Sequence, residues 1–153
     1  MIIPNTKNSK VGKISDLSAQ INNSCKRSSW TIAKDLSSSF QYAAQGLIYA
    51  FRTQRNFRIH LLIGFLASSI SIWLNLSVTN LAIIVITISA VLVLELINTS
   101  IEAVVDLAIG RKFHPLARVA KDCAAASVLL GSISSFIIAL LLILPLILER
   151  LGI

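Results

Sequence analysis

No Asp, Glu, Lys or Arg occurs from Ile59 to Leu94, a run of 36 residues, and none from Cys123 to Leu148, a run of 26. A water-soluble domain has about a quarter of its residues charged and spreads them over its surface. Runs this long fit a small multispanning membrane protein built of helices instead. The charges that remain are unevenly placed. Residues 1–58 hold nine Lys+Arg against two Asp+Glu, while residues 59–153 hold five of each, so the whole net charge of +7 lies ahead of the first uncharged run.

A bilayer core of about 30 Å needs roughly 20 apolar helical residues. The 36-residue run would make a helix of about 54 Å, too long for one crossing. It is interrupted by Asn75-Leu76-Ser77-Val78-Thr79-Asn80, a turn-forming composition. The expected spans are therefore about 57–74, 81–107 and 115–148. Gly110 suits a helix C-terminus, and Pro115 suits the first position of the next helix. Thirteen of the fourteen basic residues fall on one side of such a topology, leaving Arg150 on the other. By the positive-inside rule the N-terminus is expected in the cytoplasm and the C-terminus outside.

Ahead of the first span, Phe40, Ala43, Ala44, Leu47, Ile48 and Phe51 recur at helical spacing. This segment, about 36–53, reads as an amphipathic helix in the membrane interface; a packing helix of the bundle is the plainer reading. The expected fold class is an all-α membrane protein with this interfacial helix and three transmembrane helices. Residues 36–150 would form the membrane domain, and residues 1–35, rich in Ser, Asn and Lys, a flexible basic cytoplasmic tail. No apolar core follows Met1, so no signal peptide is expected. Cys25 and Cys123 imply no disulfide framework. Walker, dinucleotide and zinc motifs are missing, and no nucleic-acid partner is expected.

Four acids, Glu95, Glu102, Asp106 and Asp122, fall at or near membrane depth in this reading. An ionisable group at the centre of a span costs at least ~2.5–3.5 kcal/mol and is seldom kept without a partner or a task. At 100° per residue, Glu95, Asn98, Thr99, Glu102 and Asp106 share one stripe about 100° wide. Arg118, Lys121 and Asp122 begin the third span, followed by the small residues Ala124, Ala125, Ala126 and Ser127, which permit close helix approach. The two charged helix ends are expected to form a polar pocket at the cytoplasmic surface. Convergent carboxylates with a Lys and an Arg suit Mg²⁺, which takes one or two carboxylates plus substrate phosphates. Another carboxylate would accept a proton from a hydroxyl nucleophile. The alternative is a non-catalytic bundle locked by buried ion pairs. Ion conduction fits less well, because the outer half of each span has no ionisable group. His60 reads as a packing residue, His114 as a helix cap or a nucleotide contact, and Arg52, Arg55 and Arg58 as a lipid-phosphate stripe.

The run Glu95-Leu-Ile-Asn-Thr-Ser-Ile-Glu-Ala-Val-Val-Asp106 resembles the signature of the prokaryotic diacylglycerol kinase family. The resemblance extends to Ser39-Phe-Gln-Tyr-Ala43, Arg55-Asn-Phe-Arg-Ile-His-Leu61 and Lys112-Phe-His-Pro-Leu-Ala-Arg-Val-Ala-Lys-Asp122, and covers about residues 36–148. Arg-Asn-Phe-Arg-Ile-His and His-Pro-Leu-Ala look closer to the Gram-positive-type branch, which includes undecaprenol kinases. The resemblance implies a homotrimeric membrane enzyme with sites between subunits. It would transfer the γ-phosphoryl group of ATP, with Mg²⁺, to the hydroxyl of diacylglycerol or undecaprenol; the residues leave the acceptor open. By resemblance Glu95 is the general base and Glu102 holds the metal. Lys112, Phe113, His114, Lys121 and Asp122 contact nucleotide, with Asn98, Asp106 and Arg58 in support. The chain departs from the pattern at Gln54, where members usually carry a metal-binding Glu; an amide oxygen can still ligate but brings no charge.

Overall fold

The structure, a computed structural model, describes residues 36–110 and 112–152. The expected tail, with Cys25, and the loop residue Arg111 lie outside the described residues. Four helices follow in order: α1 (Leu36–Thr53), α2 (Arg55–Trp73), α3 (Val78–Ile109) and α4 (Pro115–Leu151). By contacts the chain divides into two units, Met1–Gln45 and Gly46–Ile153. Of the first, only the opening turns of α1 are described, with Phe40 and Tyr42 exposed. The second unit contains every element discussed below.

Each helix end has a local cause. Gln54 is extended (φ −98°, ψ 114°), which separates α1 from α2. Its N–H still donates to the Ala50 carbonyl at 2.8 Å. The Arg58 guanidinium reaches back to the Phe51 and Arg52 carbonyls at 3.1 and 3.2 Å, satisfying acceptors that a helix C-terminus otherwise leaves unpaired. Arg58 therefore ties the α1–α2 junction, a role not expected of a lipid-facing stripe. Asn75 turns the chain at φ 56°, a conformation Asn tolerates better than most residues. The Ser77 hydroxyl accepts from the Asn80 N–H at 3.3 Å, so α3 starts at Val78, ahead of the expected 81. Gly110 ends α3 at φ 58°, and Pro115 opens α4. His114 occupies the cap position, but its side chain makes no capping hydrogen bond. The cap position expected of His114 is thus found, filled through its extended backbone.

All three later helices are long and apolar enough to cross a membrane. α3 packs against both neighbours, most extensively against α4, while α2 and α4 touch little. Closest approach occurs at glycines. A Cβ on Gly64 would lie 2.6 Å from Ile88 Cγ2, and one on Gly131 would lie 2.5 Å from Leu94 Cδ1. Of the expected small-residue contact, Ala124 is buried but Ala125 and Ala126 are exposed. Outward-facing Phe65, Ile86, Leu130 and Leu141 stand exposed, as suits helices whose solvent is hydrocarbon.

Helix lengths place the charged groups. The helices hold 19, 32 and 37 residues, so they measure about 28, 48 and 55 Å. Their far ends are tied together: α3 starts five residues after α2 ends. At the same end Arg150 of α4 stacks 4.5 Å from the Trp73 ring centroid and donates to the Trp73 carbonyl at 3.1 Å. The excess length of α3 and α4 therefore overhangs the opposite end, beyond the start of α2. Glu95 lies beside α2, whereas Asp106 and Asp122 sit on the overhang.

Candidate functional site

Two neighbouring clefts divide the polar residues. In the first, Glu95 lies on the buried face of α3 with Ile84, Val91 and Thr99. The residue is 2% exposed. Its Oε1 lies 3.5 Å from Nε2 of His60 on α2 and has no hydrogen-bond partner. One turn on, Asn98 donates through Nδ2 to Glu102 Oε1 at 3.2 Å, which leaves its own Oδ1 buried and unpaired. Thr99 donates to the Glu95 main-chain carbonyl at 2.8 Å and so does not serve the carboxylate. Glu95 and Asn98 line a cavity of about 290 Å³ with Asn56, His60, Val128 and Ser132. An apolar cavity of about 270 Å³ adjoins it, sharing His60 and Ser132 and continuing past Gly64, Ile88 and Phe136.

The second cleft, about 510 Å³, lies between the end of α3 and the start of α4. Asp106, Lys112, Phe113, His114, Arg118, Lys121 and Asp122 line it. Lys121 Nζ donates to Asp106 Oδ1 at 2.5 Å, joining the two helices. Arg118 and Asp122 pair at 3.5 Å within α4, both largely exposed. Glu102 is half-buried between these clefts along α3, and Gln54 is half-buried at the α1–α2 break. Neither residue lines either cleft.

The single pocket expected from the sequence is therefore two, with Glu95 and Asp106 eleven residues, or roughly 16 Å, apart along α3. Among the described residues, no three His, Cys, Asp or Glu side chains converge as a metal site. One carboxylate with a neighbouring amide does fit the smaller protein share that Mg²⁺ takes when phosphates supply other ligands. Sequence reasoning took His60 for a packing residue and did not single out Ser132, yet both line the first cleft. The available signal was a histidine one turn inside a span, since ionisable groups there tend to face a partner.

The profile of the prokaryotic diacylglycerol kinase family matches residues 41–143, which includes both clefts. The chain belongs to the prokaryotic diacylglycerol kinase family. It is 44% identical over 120 residues to a diacylglycerol kinase of Synechocystis sp., covering 78% of this chain and 69% of that one. An undecaprenol kinase of Bacillus subtilis is 42% identical over 114 residues, covering 70% and 86% respectively. A diacylglycerol kinase of Escherichia coli is 33% identical over 96 residues, covering 63% and 78%. Membership places the protein among membrane-embedded lipid kinases, an all-helical class of transferase. Within the matched region, α3 carries Glu95 and Asn98 to the first cleft and Asp106 to the second.

Proposed function

We propose that the protein transfers the γ-phosphoryl group of ATP, with Mg²⁺, to the hydroxyl of a membrane lipid, diacylglycerol or undecaprenol. One observation carries this reading. Glu95 and Asn98, whose buried Oε1 and Oδ1 have no hydrogen-bond partner, line one cavity. A buried acceptor left unpaired costs about 1–3 kcal/mol, a cost kept here in a carboxylate whose other oxygen would meet the substrate hydroxyl. The adjoining apolar cavity suits hydrocarbon attached to that hydroxyl.

Glu95 would accept the hydroxyl proton as the lipid oxygen attacks the γ-phosphorus. The lipid O–P bond forms, the bond from γ-phosphorus to the β–γ bridging oxygen breaks, and ADP leaves with the electron pair. Asn98 would orient the acceptor. The nucleotide would occupy the second cleft, against Lys112, Phe113, His114, Lys121 and Asp122, with Asp106 holding Lys121 in place. An extended triphosphate lying along α3 would pass Glu102 and bring its terminal phosphate toward Glu95. Mg²⁺, bound with the phosphates, would neutralise their charge; Glu102 and, as a neutral ligand, the Gln54 side-chain carbonyl would hold it. Arg58 would support the site by keeping the α1–α2 junction in place.

The membrane arrangement follows the same reading. The end bearing Arg52, Arg55, Arg58, Lys112, Arg118 and Lys121 would face the cytoplasm, where ATP is found, with the C-terminus outside. A homotrimer, as the family resemblance implies, would cover apolar helix faces that the single chain leaves exposed.

The test is radiolabel transfer from ATP to diacylglycerol and to undecaprenol in mixed micelles, with wild type and Glu95→Gln. Wild type should label at least one lipid. Glu95→Gln should lose about 10²–10⁴-fold in rate, the usual worth of a general base, while folding and oligomer size hold. Absence of transfer to both lipids would overturn the lipid-kinase reading. A fully active Glu95→Gln would favour a structural role for this carboxylate.

A further inference from the structure

We propose that His60 is the positioning residue for Glu95, fixed as the Nε2–H tautomer so that it holds one carboxylate oxygen and leaves the other for the lipid hydroxyl. The proposal rests on the assignment of Glu95 as base.

The proton inventory around the ring leads there. Nε2 of His60 faces two groups: Glu95 Oε1 at 3.5 Å and Ser132 Oγ at 3.5 Å. The Ser132 hydroxyl already donates its proton to the Val128 carbonyl at 2.8 Å. It therefore presents lone pairs, not a proton, to the imidazole. An ionised Glu95 is an acceptor as well. Two acceptors converge on one ring nitrogen, and the proton between them has to be carried by Nε2 itself. In a neutral imidazole this leaves Nδ1 bare.

No other group takes this role among the described residues. The Thr99 hydroxyl is engaged by the Glu95 main-chain carbonyl. The Arg58 guanidinium is turned to the α1 carbonyls. From α3, the charged neighbour is Glu102, one more acid; from α4, the stretch beside this site contains no Asp, Glu, Lys or Arg between Cys123 and Leu148. The Asn98 amide already donates to Glu102, and Asn56 lines the cavity, whereas His60 Nε2 is the ring nitrogen that lies beside Glu95 Oε1. His60 is thus the N–H that can orient Glu95. The separation exceeds a good hydrogen bond by about 0.5 Å, and catalytic contacts often tighten only once substrate is bound.

The experiment compares wild type, His60→Leu and His60→Gln as full-length protein in lipid micelles. His60→Leu removes the donor but keeps an apolar bulk. It should lower kcat at least 30-fold and leave KM for ATP within twofold, because the second cleft is roughly 16 Å away along the helices. His60→Gln restores an N–H and should recover at least a third of the wild-type kcat. A second readout needs no turnover: ¹⁵N spectra of the imidazole, with His114 signals identified by a His114→Gln sample. His60 should be the Nε2–H form in wild type and a mixture of tautomers in Glu95→Ala.

A His60→Leu enzyme within threefold of wild type overturns the proposal. So does a His60→Gln enzyme as impaired as His60→Leu, or a wild-type ring protonated mainly at Nδ1. If wild type itself transfers no phosphate, the kinase reading fails, and the ¹⁵N spectra alone decide whether His60 and Glu95 are paired. If His60→Leu does not fold, the His60→Gln kinetics and the same spectra decide it.

Discussion

Replacing Gly64 by Ala adds one methyl group where α2 meets α3. Its Cβ would lie 2.6 Å from Ile88 Cγ2, with Cγ1 and Cδ1 at 3.4 and 3.5 Å. Non-bonded carbons rest about 3.5–4.0 Å apart, so the overlap is about 1 Å. Ile88 cannot move aside cheaply: Cγ2 hangs directly on a β-branched carbon, and such side chains in helices hold essentially one rotamer. The helices must part. Overpacking of this kind costs about 1–3 kcal/mol, against a gain of about 0.5–1 kcal/mol from replacing a helical glycine. The net expectation is a loss of about 1–2 kcal/mol. Gly131→Ala is the internal control. There the clash is 2.5 Å, but the atom struck is Leu94 Cδ1, the far end of a side chain that can rotate. Its cost should roughly cancel the helix gain. Gly64 also lies one turn, about 6 Å, from His60, so parting α2 from α3 should stretch the His60–Glu95 approach of 3.5 Å. Unfolding midpoints in micelles, read beside lipid phosphorylation, check both halves. Gly64→Ala should be less stable and several-fold slower, and Gly131→Ala close to wild type in both. Equal behaviour of the two variants, or a worse Gly131→Ala, would refute the packing argument.

Further outcomes follow from the second cleft and the helix break. Lys121→Met keeps the side-chain volume but removes the pair with Asp106. Both partners are more than a third exposed, so stability should change by no more than about 1 kcal/mol, whereas KM for ATP should rise at least tenfold; an unchanged KM would remove Lys121 from the nucleotide site. Gln54→Glu places a carboxylate at the N-terminus of α2, where the side chain makes no capping bond. A negative charge is favoured there, so a Mg²⁺ titration should show activity kept or raised and a lower metal requirement. Loss of turnover in that variant would count against Gln54 as a metal ligand.

Much of the framework is legible in the residues. Glu95 and Thr99 do lie on the buried face of α3, as their shared stripe requires, because angular position on a helix follows from residue number alone. Lys112, Phe113, His114, Lys121 and Asp122 meet in one cleft because a short link joins their two helix ends. His60 reads from the sequence as a packing residue for a different reason. Its partners are 35 and 72 residues away, and a lone histidine in an apolar span gives no sign of which neighbour it faces. Arg58 reads from the sequence as one of a basic series, because its carbonyl partners on α1 are set by the chain break at Gln54 and leave no mark in the pattern of charges.

What the sequence alone determined is the material and the faces. Charge-free runs of 36 and 26 residues leave little but apolar helices, and Gly110 and Pro115 mark where two of them end and begin. What the tertiary structure decided is how far each helix is slid along its neighbour. Periodicity reports the angle at which a side chain leaves its own axis, but carries no information on axial offset between helices. That offset is set by packing at Gly64 and Gly131 and by the Arg150–Trp73 contact. It puts His60 level with Glu95, hangs Asp106 and Lys121 beyond the start of α2, and separates one expected pocket into two.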